Sequence, residues 1–433
     1  MVLNGSHLDL YGEIPPVDLK VVLDGSTLTD RRDRLDGAFT LQAGSKYYVS
    51  DEGLSTNYIR RSELLAFTLD DSEVVFDGGR YSTLSVDVNS TSPSSINYLG
   101  STIGVGYPGN HVYRGQTHLN MRDGAWITDG LFTAMDDVVG RVAESKLPSL
   151  ILQGKAAFHV TNSTVIETNF DDNWSSGFLV GSGESRAEFD GVVFKNGTDC
   201  GGSLFSTSNG SQLVLRDSEA TGFWLCGGAN AISARDSARV LVESSRIAID
   251  GMAISDYSSS TVFSANGTAE IEVRDGVYNS SLLLIDVHPF IAIASTHGAS
   301  HILLDGGSYS LNALGAEQTA HLVHAADDST IELIAGSFKA LVNRVGIDDD
   351  LIHLSAEDRS TIIVHGSDFN YPLGEVPDLA GTLDGKLVDG NPFRWNFARA
   401  TDARILLVPE PTGISIGCLP MLLLARSFRR SLM

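Results

Sequence analysis

An all-β solenoid is the fold class this sequence predicts, and three observations predict it. An eight-residue phrase returns along most of the chain, its copies are almost evenly spaced, and each copy alternates like a strand. Written as apolar, any, apolar, any, any, Gly or Ser, any, bulky apolar, the phrase reads LNMRDGAW from Leu119, FHVTNSTV from Phe158, LVLRDSEA from Leu213 and VLVESSRI from Val240. It continues as IEVRDGVY from Ile271, ILLDGGSY from Ile302, IELIAGSF from Ile331 and IIVHGSDF from Ile362, with a looser copy, AEFDGVVF, from Ala187.

At the small residue, the later copies (Ser218, Ser245, Gly276, Gly307, Gly336, Ser367) lie 27, 31, 31, 29 and 31 positions apart. A period of this size marks units that cannot bury an apolar face alone and must stack on their neighbours. Within a copy, Ile271 and Val273 flank Glu272, and Ile331 and Leu333 flank Glu332, so one side of a pleated strand is apolar. A second apolar alternation precedes each copy and runs into a Ser, Asp, Asn and Gly turn, as in LFSTSNGSQ and LVHAADDST. One unit therefore reads strand, turn, strand, small-residue corner, aromatic, variable loop.

That is one coil of a single-stranded parallel β-helix, right-handed by the usual crossover preference. A propeller blade needs ~40 to 45 residues, and leucine-rich repeats need a Leu and Asn ladder that is missing. Stacked coils put matching positions ~4.8 Å apart. Tyr278, Tyr309, Phe338 and Phe369 are then expected to pile up behind a bend made by the small residues.

The chain divides into four parts. Residues 1–148 hold irregular coils and a cap: weak copies at VVLDGSTL, FTLQAGSKYY and VVFDGGRY, a Ser, Asn and Pro-rich interruption around Ser90 to Gly109, and an expected helix from Asp136 to Leu147. Residues 149–371 carry the regular repeats. Residues 372–407 lose the rhythm and read as a C-terminal cap and linker, and residues 408–433 form a separate tail. The opening residues show neither a basic start nor an apolar run, so no secretory signal is visible there.

Acidic side chains outnumber basic ones 54 to 30, for a net charge of −24, which argues against a nucleic-acid partner. Three cysteines are too few for a disulfide framework. Cys200 and Cys226 share a local context 26 positions apart, which leaves two readings open: a disulfide between coils, or two buried thiols. Seven of the eleven histidines fall between His288 and His365. His324 in LVHA and His353 in LIHL look equivalent, so a shared metal, a pH-sensitive pair or an exposed outer ladder are the alternatives. Asp348, Asp349 and Asp350 read as a solvated loop. No cofactor is expected.

The tail reads VPEPTGISIGCLPMLLLARSFRRSLM: Val408, Pro409, Glu410 and Pro411, then an apolar stretch from Gly413 to Ala425, then Arg426, Arg429 and Arg430. It resembles the PEP-CTERM sorting signal of exported Gram-negative proteins. That resemblance covers the tail alone, and implies transient anchoring in the inner membrane and cleavage at Pro-Glu-Pro by an exosortase. Physically, the apolar stretch enters the bilayer while the arginines stay on the cytoplasmic side. The stretch is short of the ~20 residues a spanning helix needs and Pro420 interrupts it, so Ile405 and Leu406 are expected to help anchor it.

The body resembles the parallel β-helices of pectate lyases, polygalacturonases and autotransporter passengers. Fold does not fix function. Asp171 and Asp172 in NFDDNW, with Asp199 in NGTDCGG, are similar to the polygalacturonase carboxylates, but that family's later Gly-His-Gly and Arg-Ile-Lys elements are missing. The expectation is an exported, non-catalytic surface or matrix protein whose repetitive faces contact polysaccharide or neighbouring cells. The alternative is an extracellular polysaccharide lyase or glycosidase.

Overall fold

The computed structural model describes residues 1–12, 20–32, 37–50, 59–61, 64–82, 85–103, 110–128, 130–167, 177–199, 203–224, 230–253, 259–284, 290–315, 320–343 and 351–410. The described residues are mostly strand and there is no helix among them, so the architecture is all-β with a long, mostly parallel sheet, as in a β-helix-like solenoid.

Parallel pairing joins the strands into three columns. The first face begins at Val2–Asn4, continues through Lys20–Asp24, Gly37–Gln42 and Leu64–Leu69, and ends at Ile352–Ala356 and Pro392–Arg399. The second begins at His7–Gly12, passes through Thr27–Arg32, Lys46–Ser50 and Glu73–Asp77, and ends at Thr361–Ser367 and Arg404–Pro409. The third begins at Ile59–Arg61 and Arg80–Ser82 and ends in the later halves of Glu270–Leu284, His301–Gly315 and Thr330–Asn343. Each rung pairs only with its neighbours, so matching letters become neighbours in space.

The recurring phrase spans the second face, a corner and the start of the third face. Its corner uses two residues. The first takes a left-handed backbone, as at Asp217 (φ 46°), Ser244 (φ 49°) and Asp275 (φ 54°). The second is small and faces inward. Where it is serine, its hydroxyl accepts the amide of the rung before: Val192 N–H donates to Ser218 Oγ and Ser218 N–H to Ser245 Oγ, each at 3.2 Å. The corner thus replaces ladder bonds that the bend removes. Where it is Gly276 (φ 118°), a Cβ would meet the Ser245 carbonyl oxygen at 2.3 Å, so no side chain fits.

Behind the corner, Tyr278 stacks on Tyr309 (5.2 Å between centroids, 22°) and Tyr309 on Phe338 (4.6 Å, 9°). The fourth aromatic of the expected pile does not join it. Trp395 closes the stack edge-on to Phe338 at 5.6 Å, while Phe369 pairs with Phe393. The reason is that the chain departs from the coil after Ser367 to build the terminal layer.

Other expectations are corrected. The stretch expected as a helix from Asp136 to Leu147 forms Val139–Ala143 on the second face and Lys146–Leu147 on the third. The interruption placed at Ser90 to Gly109 begins inside a strand, Ser85–Leu99, whose Ser90 and Ser94 are buried at a shift in register. Thr117 Oγ1 reaches Ser90 Oγ at 3.2 Å, so the polar residues satisfy one another on adjacent rungs. Residues 392–409 supply a further rung as well as a cap, with Ile405 paired to Ile362 and fully buried. Ile405 therefore belongs to the core and cannot anchor the tail.

Candidate functional site

The outer side of the second face carries most of the ordered chemistry. Its side chains alternate with the buried ones, so every rung presents the same outward positions one strand spacing apart. Acids and bases follow one another up this face. His159 lies 3.3 Å from Glu188, Arg216 reaches both Glu188 and Glu243, and Arg239 lies 3.2 Å from Glu270. Arg274 pairs with Glu272 on its own strand, at 2.5 Å. Higher up, Glu332 lies between His365 (2.6 Å) and His301 (3.5 Å).

Hydrogen bonds from His301 and His365 hold the Glu332 carboxyl down at about 2. Asp305, one rung below, moves the other way: burial raises it, against the pull of the Arg274 guanidinium. Two acids on adjacent rungs are thus pushed apart, one held ionised and one held towards its protonated form. Sequence reasoning missed this pair. The only sequence signal was the acidic outward letter of two phrase copies, Glu272 and Glu332, and nothing in the pattern marked Asp305.

The two histidines chosen from sequence do not stack. Val323 pairs with Leu354 and His324 with Ser355, which leaves His353 two places out of register. The phrase advances by 31 positions there, whereas the two histidines are 29 apart, so the spacing itself held the correction. His353 instead accepts the Asn396 amide at Nδ1 (3.2 Å). His324 sits among Phe290, His297 and His321, with ring centroids 4.8, 5.7 and 5.4 Å away, and its Nε2 lies 3.4 Å from Glu357. At 7% exposure it belongs to no outer ladder. Burial pushes His324 and His353 down, and His321 down to about 4. No group of three or more His, Cys, Asp or Glu among the described residues is placed to hold a metal ion.

Asp171, Asp172, Cys200, Cys226, the Asp348 to Asp350 run, Pro411, Arg426, Arg429 and Arg430 lie outside the described residues. Asp199 ends the strand Val193–Asp199 opposite Trp224, and its side chain also lies outside them. Of the residues expected to form a sorting signal, Val408, Pro409 and Glu410 lie within the described residues. Val408 and Pro409 pair with His365 and Gly366 in the last rung, and Glu410 accepts a hydrogen bond from Ser367 Oγ at 3.1 Å. No helix among the described residues is long and apolar enough to cross a membrane.

Comparison with protein-family models, curated proteins and solved structures returns no match.

Proposed function

We propose that this is an exported, non-catalytic surface or matrix protein, a right-handed parallel β-helix sorted and cleaved by an exosortase through its C-terminal signal. Its body presents a repetitive polar face to extracellular polysaccharide or to neighbouring cells. The observation that carries the reading is the second face, where successive rungs spend their charges on one another: Arg216 on Glu188 and Glu243, Arg239 on Glu270, Glu332 on two histidines. Paired charges on a ladder favour many weak, repeated contacts rather than one strong site. The test is binding of the purified body to a panel of acidic and neutral polysaccharides, with a search for reducing ends or unsaturated products. Retention without turnover supports the proposal; product formation overturns it. For sorting, intact mass of the cell-associated protein should show loss of the residues after the Pro-Glu-Pro motif.

One observation favours a second reading, a glycosidase or lyase. Asp305 and Glu332, on adjacent rungs, are shifted in opposite directions, the pattern by which environment separates a protonated acid from an ionised partner. If that reading holds, Asp305→Asn and Glu332→Gln each abolish turnover on a substrate that the parent protein degrades.

A further inference from the structure

The layer that closes the solenoid contains a strap, residues 372–380, with an unusual distribution of exposure. At its centre Val376 is fully buried, and its amide donates to the Ile405 carbonyl at 2.9 Å. On either side Pro372, Leu373, Pro377, Leu379 and Ala380 are exposed, with Leu373 at 59% and Leu379 at 50%. The side chain of Arg399, 6% exposed, donates to the carbonyls of Val376 (3.1 Å), Pro377 (3.0 Å), Asp378 (3.0 Å) and Ala403 (2.8 Å). The strap backbone is therefore pinned to the last rung, and its leucines are exposed on either side of Val376. Its acids are engaged nearby: Glu375 lies 3.9 Å from Arg399, and Asp378 accepts the Tyr371 hydroxyl at 2.9 Å.

The chain leaves the body at this layer. Gly374 pairs antiparallel with Leu407, which sets Leu373 beside Val408 at the exit. After Glu410 only Pro411 and Thr412 precede the apolar stretch Gly413 to Ala425. Two residues reach ~7 Å at most. A bilayer that takes up the stretch then lies beside the Leu373 end of the strap. Thirteen residues wound as a helix would cover ~20 Å of a ~30 Å hydrocarbon core. A short single anchor holds weakly, and stable attachment generally needs a second contact.

We propose that the strap is that second contact, a lipid-facing foot whose Leu373 and Leu379 enter the interface of the membrane holding the tail. This rests on the tail reading above. The experiment uses the full chain with vesicles of phosphatidylethanolamine and phosphatidylglycerol, followed by flotation, carbonate extraction and amide hydrogen exchange. Bound protein should show protection at 372–380 beyond that in the detergent-solubilised chain. The double variant Leu373→Ser/Leu379→Ser should bind roughly tenfold more weakly, with an unchanged circular dichroism spectrum. Leu341→Ser, which alters an equally exposed leucine elsewhere (61%), should bind as the parent does. A carbonate-resistant tail with an unprotected strap and undiminished binding by the double variant overturns the foot and leaves the tail reading standing. A parent chain that neither floats nor resists carbonate overturns both.

Discussion

Short and long coils of the same stack differ in how many apolar layers they build. From Leu119 to Gly140 to Phe158 the second face advances by 21 and then 18 positions, and the third face is reduced to two-residue strands, Trp126–Ile127 and Lys146–Leu147. From Val240 to Ile271 to Ile302 it advances by 31 each time, and the strand that turns the corner runs on for several residues, as in Glu270–Leu284. The first face responds. In the short coils Leu150–Leu152 alternates buried and half-buried, whereas Ala320–Ala325 is buried on both sides without a break. Beyond the corner aromatics, Ile249, Leu311 and Ala313 are buried too, and a Cβ on Gly222 would meet the Leu204 side chain at 2.9 Å. The added residues therefore do not enlarge the lumen. They lengthen the third face past the first and add a second apolar layer outside it.

Acid should give the largest effect, because each region buries a histidine at a different depth. His111 faces the lumen of the short coils between Val86 and Phe132, and burial holds it at about 4. His321, in the outer layer, is held at about 4 by burial and by His324, with His297 and Glu357 also in the cluster. Both folded values lie below the ordinary 6.5, so the unfolded chain binds more protons between those limits. Stability is complete above about pH 6.5 and falls as pH drops towards 4, by about 3 kcal/mol at each site. Hydrogen exchange across this range should show both regions loosening, and His111→Leu should remove the effect from the short coils alone.

Next in size is a matched pair of truncations. Leu131 and Leu322 occupy the same outward position of the first face, one half-buried and one fully buried. Leu322→Ala should cost about 2–4 kcal/mol of local stability, and Leu131→Ala less than about 1 kcal/mol. Equal costs would mean there is no second layer.

Filling the lumen sharpens the contrast from the inside. A Cβ on Gly140 would lie 2.3 to 2.5 Å from the Phe158 ring. Gly140→Val should cost about 1–3 kcal/mol by overpacking, and Phe158→Ala in the same chain should recover part of it. A small effect belongs to the corner shared by both regions. Ser218→Ala leaves the Val192 amide without its acceptor and should cost about 1 kcal/mol, read as faster exchange of that amide.

Gly140 also explains why part of the fold was hard to read. Along Val138, Gly140 and Val142 the buried positions alternate as in any strand, but the middle one is a glycine because Phe158 fills its space. Without that side chain the apolar pattern imitates a helix. Ser90 and Ser94 misled in the opposite sense, since a buried serine satisfied by a neighbouring rung has the composition of a loop. The opposed acidities of Asp305 and Glu332 were illegible for another reason: each depends on residues a rung or more away.

By itself, the sequence determined that the chain is a stack of strands and where the corners of the recurring phrase fall. A coil's inward alternation and its small turning residue are local properties, written within eight letters. Tertiary structure alone decided which histidines meet, which aromatic closes the Tyr278 stack, how many layers cover the first face and which leucines remain outside. Those outcomes depend on register between coils of unequal length, and one inserted residue shifts every later neighbour.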